Sequence, residues 1–218
     1  MRATSAAVRR ARPLLGTRVE ISAQGRAANE AIDRAFAAVE RVHHAMSRQE
    51  STSDIARLRS GHRAALDPWT RCVLDRAEEL RLATDRLFDC ASCDYSLDGI
   101  AKGFAVDRAI DCLRDAGMTA GVVNAGGDLR VFGDEWQPLH VRSGAALIYV
   151  GKIRETAVAT SAGTGLVHPL GGKVRVAGVT VMAADCMTAD ALTKPCMLEP
   201  EQAAVAAERL AARVLRSA

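Results

Sequence analysis

Aromatic residues are scarce in this chain: two Trp, two Tyr and four Phe make up 4% of its 218 residues. Few rings are therefore available to stack on a planar ligand. No apolar run is long enough to span a bilayer, so the sequence excludes a membrane-spanning protein. The net charge of +3 is too small to indicate a nucleic-acid-binding protein. The remaining composition, 49% hydrophobic and 25% charged, is that of a globular protein, and the length suits one compact domain.

Cysteine is also sparse for a chain of this size. The six cysteines are too few for a disulfide scaffold and favour a reduced, cytoplasmic protein. Cys90 and Cys93 form a CxxC pair, which suits a redox centre or half of a zinc site. Because no second CxxC or HxxxH motif accompanies the pair, the sequence favours an ordinary structural role for both thiols.

The positive charge is concentrated at the start of the chain, in Arg2, Arg9, Arg10 and Arg12. Arg9-Arg10 resembles a twin-arginine export signal, but charged residues interrupt the segment that follows, so no apolar region completes the signal. We therefore expect a flexible basic segment at residues 1–13, followed by a folded domain at residues 14–218.

The hydrophobic pattern changes along the chain. Apolar spacings of three and four residues predict helices over 28–46, 68–83 and 99–116, and later over 185–197 and 201–215. Alternating or short apolar runs predict strands over 17–22, 120–123, 128–132, 136–141, 145–150, 153–159 and 173–183. The order strand, helices, strands, helices predicts an α+β fold, with helices packed on a mostly antiparallel sheet.

A lysine between two glycines stands where the third helix should begin, in the sequence Gly99-Ile-Ala-Lys102-Gly103. The free N–H groups of a helix N-terminus and the charge of Lys102 would both attract a phosphate or pyrophosphate. A lone GxxxG pattern also occurs where glycines only allow close packing, and spacing alone favours that alternative.

Two further segments combine glycine with short polar side chains. Asn124-Ala-Gly126-Gly127-Asp128 follows an apolar strand, and its glycines allow a ligand to approach the main chain. As a lone motif it is equally typical of a hairpin turn. Ala157 to Gly163 contains Thr160 and Ser161, which would bind a nucleotide or simply turn the chain.

Asp190, Thr193 and Lys194 lie within one turn of a predicted helix. A carboxylate and a hydroxyl at this spacing share a helical face and can hold Mg2+ through oxygen. Lys194 lies four residues after Asp190, where it would either substitute its own charge for a metal or form a salt bridge. Spacing alone favours the salt bridge.

In this order, the motifs resemble the FAD:protein FMN transferase family, also called the ApbE-like family. The matching segments are Leu15-Gly16-Thr17, Met46-Ser47, Ser53-Asp54-Ile55, Arg57-Leu58, Thr84 with Phe88-Asp89, Ala101-Lys102-Gly103, Val106-Asp107-Arg108-Ala109, Asn124 to Asp128, Ala157 to Ser161 and Asp190-Ala-Leu192. They extend over residues 14–194, so the likeness rests on many segments and not on one motif.

The resemblance implies a single ApbE-like flavin transferase domain over residues 14–218. Members of the family bind FAD, split its pyrophosphate with the help of Mg2+, attach FMN to a Thr or Ser hydroxyl of a target flavoprotein, and release AMP. Nucleic acid and membrane are not implied as partners. Such a reaction depends mainly on positioning and charge neutralisation, which suits the glycine and lysine motifs.

The resemblance also implies roles for individual residues. Lys102 and Asp190 would be catalytic, and Gly99 (through its carbonyl), Asp190 and Thr193 would hold the metal. The flavin nucleotide would contact Leu15, Phe88, Asp89, Ser96, Lys102, Asn124, Gly126, Gly127, Asp128, Thr160 and Ser161.

Several positions depart from the family pattern. Ser96 stands in place of an Asp, Leu15 in place of a Met, and Gln49 in place of an aromatic residue. Lys194 stands where the family has a metal-binding Thr, and the family's AspProArgThrGly loop is His168 to Gly172 here. A segment of several dozen residues is absent between Asp89 and Ser96. A non-catalytic flavin- or nucleotide-binding member is therefore the alternative, and a subunit completed by a partner is a third.

Overall fold

A seven-stranded sheet, in the strand order β1-β2-β3-β4-β7-β8-β9, forms the frame of the molecule. The computed structural model describes residues 6–62, 66–143, 146–163 and 173–216. Its strands are β1 (Val8–Leu14), β2 (Thr17–Gln24), β3 (Ala120–Ala125), β4 (Asp128–Phe132), β5 (Gln137–Ser143), β6 (Ala146–Ile153), β7 (Thr156–Ala162), β8 (Gly178–Ala183) and β9 (Arg213–Arg216). Its helices are α1 (Ala28–Met46), α2 (Asp54–Arg59), α3 (Pro68–Ala83), α4 (Ala101–Asp115), α5 (Cys186–Leu198) and α6 (Pro200–Arg209).

Every neighbouring pair of strands in the sheet is antiparallel. The predicted α+β class is therefore confirmed, as one domain with helices packed on an antiparallel sheet. The predicted His168 to Gly172 loop lies outside the described residues. Within the described part of the chain, no helix combines the length and apolarity that crossing a membrane requires.

Helices α1, α4 and α5 cover one face of the sheet, which we call the helical face. Val19 and Ile21 of β2 point to this face and have no exposed surface. Phe36 on α1 and Ile110 on α4 are fully buried in the same apolar cluster. Each such side chain contributes roughly 1.5–3 kcal/mol by leaving water.

The opposite face of the sheet is covered by the β5–β6 hairpin. Leu139 and Ile153 of the hairpin pack on Val131 and Val158 of the sheet. Side chains alternate between the faces of a strand. Val158 therefore contacts the hairpin, while the next residue, Ala159, packs in a separate cluster under α5.

The basic start of the chain is not flexible throughout, which corrects the expectation for residues 1–13. Residues 8–14 form β1, which pairs with β2 along its whole length. Alternate arginines of β1 reach α1: Arg10 pairs with Asp33 at 2.8 Å, and Arg12 pairs with Asp33 at 2.8 Å and Glu40 at 3.0 Å. These arginines are used in packing the edge strand onto a helix.

The end of the chain also differs from the sequence prediction. The predicted helix over 201–215 ends at Arg209, and residues 213–216 form β9 beside β8. Pairing with an open strand edge outweighs local helix propensity here. By contrast, α5 continues past Pro195 as far as Leu198.

Candidate functional site

Two tight turns lie side by side at one end of the sheet. Leu15 and Gly16 join β1 to β2, and Gly126 and Gly127 join β3 to β4. Gly126 and Gly127 both have positive φ, 67° and 107°. A Cβ atom on Gly126 would lie 2.4 Å from Thr17 Oγ1, so only glycine lets the two turns approach this closely.

A cleft of about 550 Å³ opens on the hairpin side of these turns, and we call it the glycine-turn cleft. It is lined by Thr17, Asn124, Gly126, Gly127, Thr160 and apolar residues of the hairpin, including Leu139 and Leu147. Asn124 Oδ1 accepts a hydrogen bond from the Gly127 N–H at 3.0 Å, which fixes the turn. Thr160 exchanges a 3.0 Å hydrogen bond with Thr180 on the adjacent strand.

A smaller cleft of about 270 Å³ opens on the other side of the Leu15–Gly16 turn, and we call it the lysine cleft. Its walls include Leu15, Gly16, Gln49, Asp98 and Lys102. Both clefts border the turn at residues 15–17, since Thr17 lines the glycine-turn cleft and Leu15 and Gly16 line the lysine cleft. Together their sizes are in the range of small-molecule sites. A wider opening of about 660 Å³ follows the outside of the same turn.

Four charged residues lie together beneath the lysine cleft, and we call them the charge cluster: Lys102, Asp128, Asp190 and Lys194. Lys102 Nζ forms a salt bridge with Asp128 Oδ2, and Lys194 Nζ forms one with Asp190 Oδ1. The Lys102 side chain is 32% exposed, whereas Asp128, Asp190 and Lys194 are buried. Lys102 is therefore the member that a ligand in the cleft can reach.

The charges of the cluster depend on one another. Burial by itself lowers the pKa of Lys102, but the attraction of Asp190 and Asp128 outweighs burial and raises that pKa above its ordinary value. Burial and the nearby Asp190 raise the pKa of Asp128 to about 6, against the attraction of Lys102. Asp190 is buried too, yet the two lysines and the Gly103 N–H hold its pKa below the ordinary value.

The two glycines around Lys102 serve packing, as the alternative interpretation of the GxxxG pattern predicts. A Cβ atom on Gly103 would lie 2.3 Å from the Cys186 carbonyl oxygen, so this glycine allows α4 to touch the start of α5. Its N–H donates to Asp190 Oδ2 at 3.1 Å. This N–H at the α4 N-terminus thus binds the chain's own carboxylate and is not directed at a ligand.

The predicted metal ligands already have other partners. Asp190 Oδ1 accepts from Lys194, Oδ2 accepts from Gly103, and the Asp190 carbonyl accepts from Thr193 Oγ1 at 2.7 Å and from Lys194 Nζ at 3.0 Å. Thr193 Oγ1 also lies 2.8 Å from Ser161 Oγ. Among the described residues, no group of three or more His, Cys, Asp or Glu side chains is arranged to hold a metal ion.

A divalent cation at Asp190 would also lie beside the Lys194 ammonium. At about 4 Å and an effective dielectric constant of about 20, that repulsion is roughly 8 kcal/mol. Thr193 donates to the Asp190 carbonyl, and Lys194 packs between Asp190 and Gly99. With Lys194 in that position, the three predicted ligands do not fit Mg2+.

Other predicted contacts are separated from the clefts. Phe88 has no exposed surface and packs in the core, which corrects its expected contact with the flavin. Asp89 accepts hydrogen bonds from Ser92 N and Oγ at 3.0 and 2.8 Å, and it lines a different opening next to Arg81. Ser96 is 2% exposed and donates to Asp98 at 3.0 Å.

Thr160 and Ser161 were predicted to act together, but they point to opposite faces of the sheet. Thr160 faces the glycine-turn cleft, and Ser161 faces Thr193 on α5. The alternation of side chains along a strand could have predicted that these adjacent residues face opposite sides. No sequence pattern indicated that Leu139 and Leu147 would line the cleft, since the position of the hairpin on the sheet is a tertiary feature.

The two CxxC thiols both have raised pKa values in this fold. Burial raises the pKa of Cys90 to about 12, and burial also raises the pKa of Cys93. Both thiols therefore stay protonated near neutral pH, and neither has the thiolate character that redox chemistry needs.

The structure defines an α+β domain in which two clefts border the same turn, and a partly exposed lysine lines one of them. The model of the ApbE family matches residues 15–95 and 92–215, and the chain belongs to this family. The two matched parts adjoin at residues 92–95. This place lies between Asp89 and Ser96, where this chain lacks a segment of the family pattern. No curated protein sequence matches the chain.

Solved structures of the family share the fold. A mutant of flavin transferase ApbE from Vibrio cholerae superposes with a TM-score of 0.83 at 20% identity, over 97% of this chain and 93% of that one. Flavinyl transferase ApbE from Pseudomonas stutzeri, in its apo form, gives 0.81 at 17% identity, over 100% and 93%. The ApbE protein from Thermotoga maritima gives 0.79 at 19% identity, over 97% of each chain. At these identities the likeness supports the fold alone.

Proposed function

We propose that this protein is an FAD:protein FMN transferase, which moves the FMN part of FAD onto a Thr or Ser hydroxyl of a target flavoprotein and releases AMP. Membership of the ApbE family supports the proposal. Two of the similar solved structures are named flavin transferase and flavinyl transferase. The acceptor is specified here only by its chemistry, a hydroxyl on a protein that carries flavin.

The observation that carries the proposal is that both clefts border the turn at residues 15–17, with Lys102 in the wall of one of them. A dinucleotide has two bulky ends joined by a pyrophosphate. The glycine-turn cleft and the lysine cleft provide two spaces, and the turn at residues 15–17 lies between them. In the proposed pose the pyrophosphate crosses this turn, within reach of the Lys102 ammonium.

Lys102 is suited to hold a pyrophosphate. Asp128 and Asp190 keep its pKa raised, so the side chain is a permanent cation near neutral pH. Asp128 also fixes the position of Nζ through the salt bridge. In the transfer, the target hydroxyl loses its proton to solvent and its oxygen bonds to the FMN phosphorus, while the bond to the bridging oxygen breaks and AMP leaves with that oxygen and its negative charge. A fixed cation stabilises the charge that develops on the phosphate oxygens.

The glycine-turn cleft orients the other end of the ligand. Gly126 and Gly127 have no side chains, so a nucleotide can approach the main chain of the turn. Asn124 holds that turn through its bond to Gly127, and Leu139 and Leu147 offer an apolar wall. Since few aromatic rings are present in the chain, aliphatic contacts take the place of stacking in this pose.

The magnesium ion that the resemblance implies is not part of this proposal. The predicted ligands are engaged with one another and with Lys194, so no step of the transfer is assigned to a metal at Asp190. The positive charge at the pyrophosphate is assigned to Lys102.

The proposal is tested by measuring FAD binding by fluorescence titration and AMP release by chromatography. The Lys102→Ala variant should bind FAD about 10- to 100-fold more weakly, because it loses a charge-assisted contact of roughly 1.5–3 kcal/mol. Lys152→Ala is the matched control, since Lys152 is an exposed lysine on β6. Equal FAD affinity in the wild type and in Lys102→Ala would contradict the proposed pose.

A second candidate function is supported by the engaged state of Asp190. With both carboxylate oxygens taken, the protein would bind a flavin nucleotide without turning it over. Tight FAD binding combined with no AMP release, in the presence of a hydroxyl-bearing acceptor, selects this candidate. AMP release that depends on Lys102 selects the transferase.

A further inference from the structure

Lys194 has an unusual position for a lysine, because it is almost completely buried. Its residue is 6% exposed, and its partner Asp190 has no exposed surface. Lysine is rarely buried unless its charge is matched, and a buried carboxylate likewise requires a cation. The two lie one helical turn apart on α5, so the helix itself holds the pair together.

The lysine also passes between the two elements that were predicted to hold a metal. A Cβ atom on Gly99 would lie 3.3 Å from Lys194 Cε, so the aliphatic stem packs directly on the loop before α4. The ammonium then reaches both the carboxylate and the carbonyl of Asp190. Lys194 thus joins the Gly99 loop to Asp190, as a shared metal ion would.

The charge cluster is electrically complete without a metal. Lys102 and Lys194 carry two positive charges, and Asp128 and Asp190 carry two negative charges when ionised. Asp128 and Asp190 each sense both lysines. A divalent ion would leave this buried group with an uncompensated excess of positive charge.

We propose that the Lys194 ammonium is a built-in cation that replaces the divalent metal at Asp190, so that this site takes no metal ion. Resting on the proposed function, the inference adds that FAD is handled without a divalent ion bound at Asp190. Because the positive charge belongs to the Lys194 side chain, it is present at any concentration of divalent metal ion.

The test uses Mn2+ as the probe, with free Mn2+ counted by its paramagnetic resonance signal. The wild type and Lys194→Arg, which keeps the cation, should bind no Mn2+ at Asp190. Lys194→Thr removes the ammonium and supplies a hydroxyl. It should bind Mn2+ at least about tenfold more tightly than any residual binding by the wild type, because the Asp190 Oδ1 freed from Lys194 and the new hydroxyl are oxygen ligands. Adding Asp190→Asn to Lys194→Thr should abolish the gained binding, which places the site.

Thermal melting supplies a second readout. Mn2+ should raise the melting temperature of Lys194→Thr but not that of the wild type, since the ion binds only the folded variant. Two results would overturn the proposal: Mn2+ binding by the wild type that Asp190→Asn removes, or a folded Lys194→Thr that binds no more Mn2+ than the wild type.

If Lys194→Thr does not fold, the wild type still decides the matter. Unchanged FAD affinity in EDTA, together with no bound Mn2+, supports a built-in cation, and Asp190-dependent Mn2+ binding refutes it. Failure of the proposed function is distinguishable, because a protein that binds no FAD leaves the Mn2+ and melting results intact.

Discussion

The two faces of the sheet treat polar groups in opposite ways. On the hairpin side, the polar groups that line the glycine-turn cleft stay in contact with solvent: Asn124, Thr160 and Glu20 are partly exposed, and Arg18 is exposed. On the helical side, Asp128, Asp190 and Lys194 are buried as charges beneath the lysine cleft. One face leaves its polar groups accessible to water, and the other buries three of its charges.

This difference predicts which of the two faces should tolerate substitutions. A partly exposed hydrogen bond exchanges readily with water, so its net contribution is small. A buried charge has no such replacement, and removing one partner leaves the other uncompensated. The helical face should therefore respond strongly to single substitutions, and the hairpin face weakly.

The largest expected effect comes from breaking the Asp190–Lys194 pair. Lys194→Met should lower the free energy of unfolding by about 3–5 kcal/mol, because Asp190 is left as an unpaired buried charge. The double variant Asp190→Asn with Lys194→Met should recover much of this loss, since neither charge remains. Urea denaturation measures both. A double variant no more stable than Lys194→Met would show that Lys194 acts through packing and not through its charge.

The next effect tests the helix contact beneath the cluster. Gly103→Ala should destabilise the fold by about 1–3 kcal/mol or more, because its Cβ would lie 2.3 Å from the Cys186 carbonyl oxygen. Gly178→Ala is the matched control, since its Cβ would be 3.6 Å from the nearest atom. Thermal and urea unfolding of both variants give the comparison. Similar losses in the two variants would mean that α4 and α5 can separate at little cost.

Gly103 also shows what the sequence could and could not predict. The GxxxG pattern indicated a helix start with close approach, and the structure confirms a helix there. Whether the close neighbour is a phosphate or another helix depends on α5, which lies more than 80 residues away in the chain. The sequence around Gly103 does not show which distant segment packs against it. The structure shows that the neighbour is α5, so the ligand interpretation of the motif was wrong for Gly103.

The other predictions divide in the same way, into those that local sequence supports and those that depend on tertiary packing. The i, i+4 spacing predicted the Asp190–Lys194 salt bridge, which is confirmed. The fold class followed from periodicity, and it is confirmed as well. Phe88 was placed at the ligand by resemblance alone, and only the three-dimensional packing shows that it is a core residue.

Changing the pH should affect the helical face through Asp128. Its pKa is about 6 in the folded protein, above the ordinary value near 3.8, so the folded state holds the proton more strongly. Stability from this group is therefore present at low pH and is lost as the pH rises from about 4 to about 6. The loss is at most about 3 kcal/mol.

The measurement is the free energy of unfolding of the wild type minus that of Asp128→Asn, across this pH range. Asp107 also has a pKa raised by burial to about 6, but it titrates in both proteins and cancels in the difference. A difference that stays constant between pH 4 and pH 6.5 would show that Asp128 remains ionised.

The smallest expected effect is on the hairpin face. Asn124→Ala removes the 3.0 Å hydrogen bond to the Gly127 N–H and should cost about 0.5–1.5 kcal/mol of stability. Asn124→Asp retains an acceptor oxygen and should keep most of it, so the pair isolates the hydrogen bond from the side chain's size. A loss from Asn124→Ala as large as that from Lys194→Met would remove the contrast between the faces. Stability would then depend on the Gly126–Gly127 turn as strongly as on the buried charges. The close contact between this turn and the Leu15–Gly16 turn would require the Asn124 hydrogen bond.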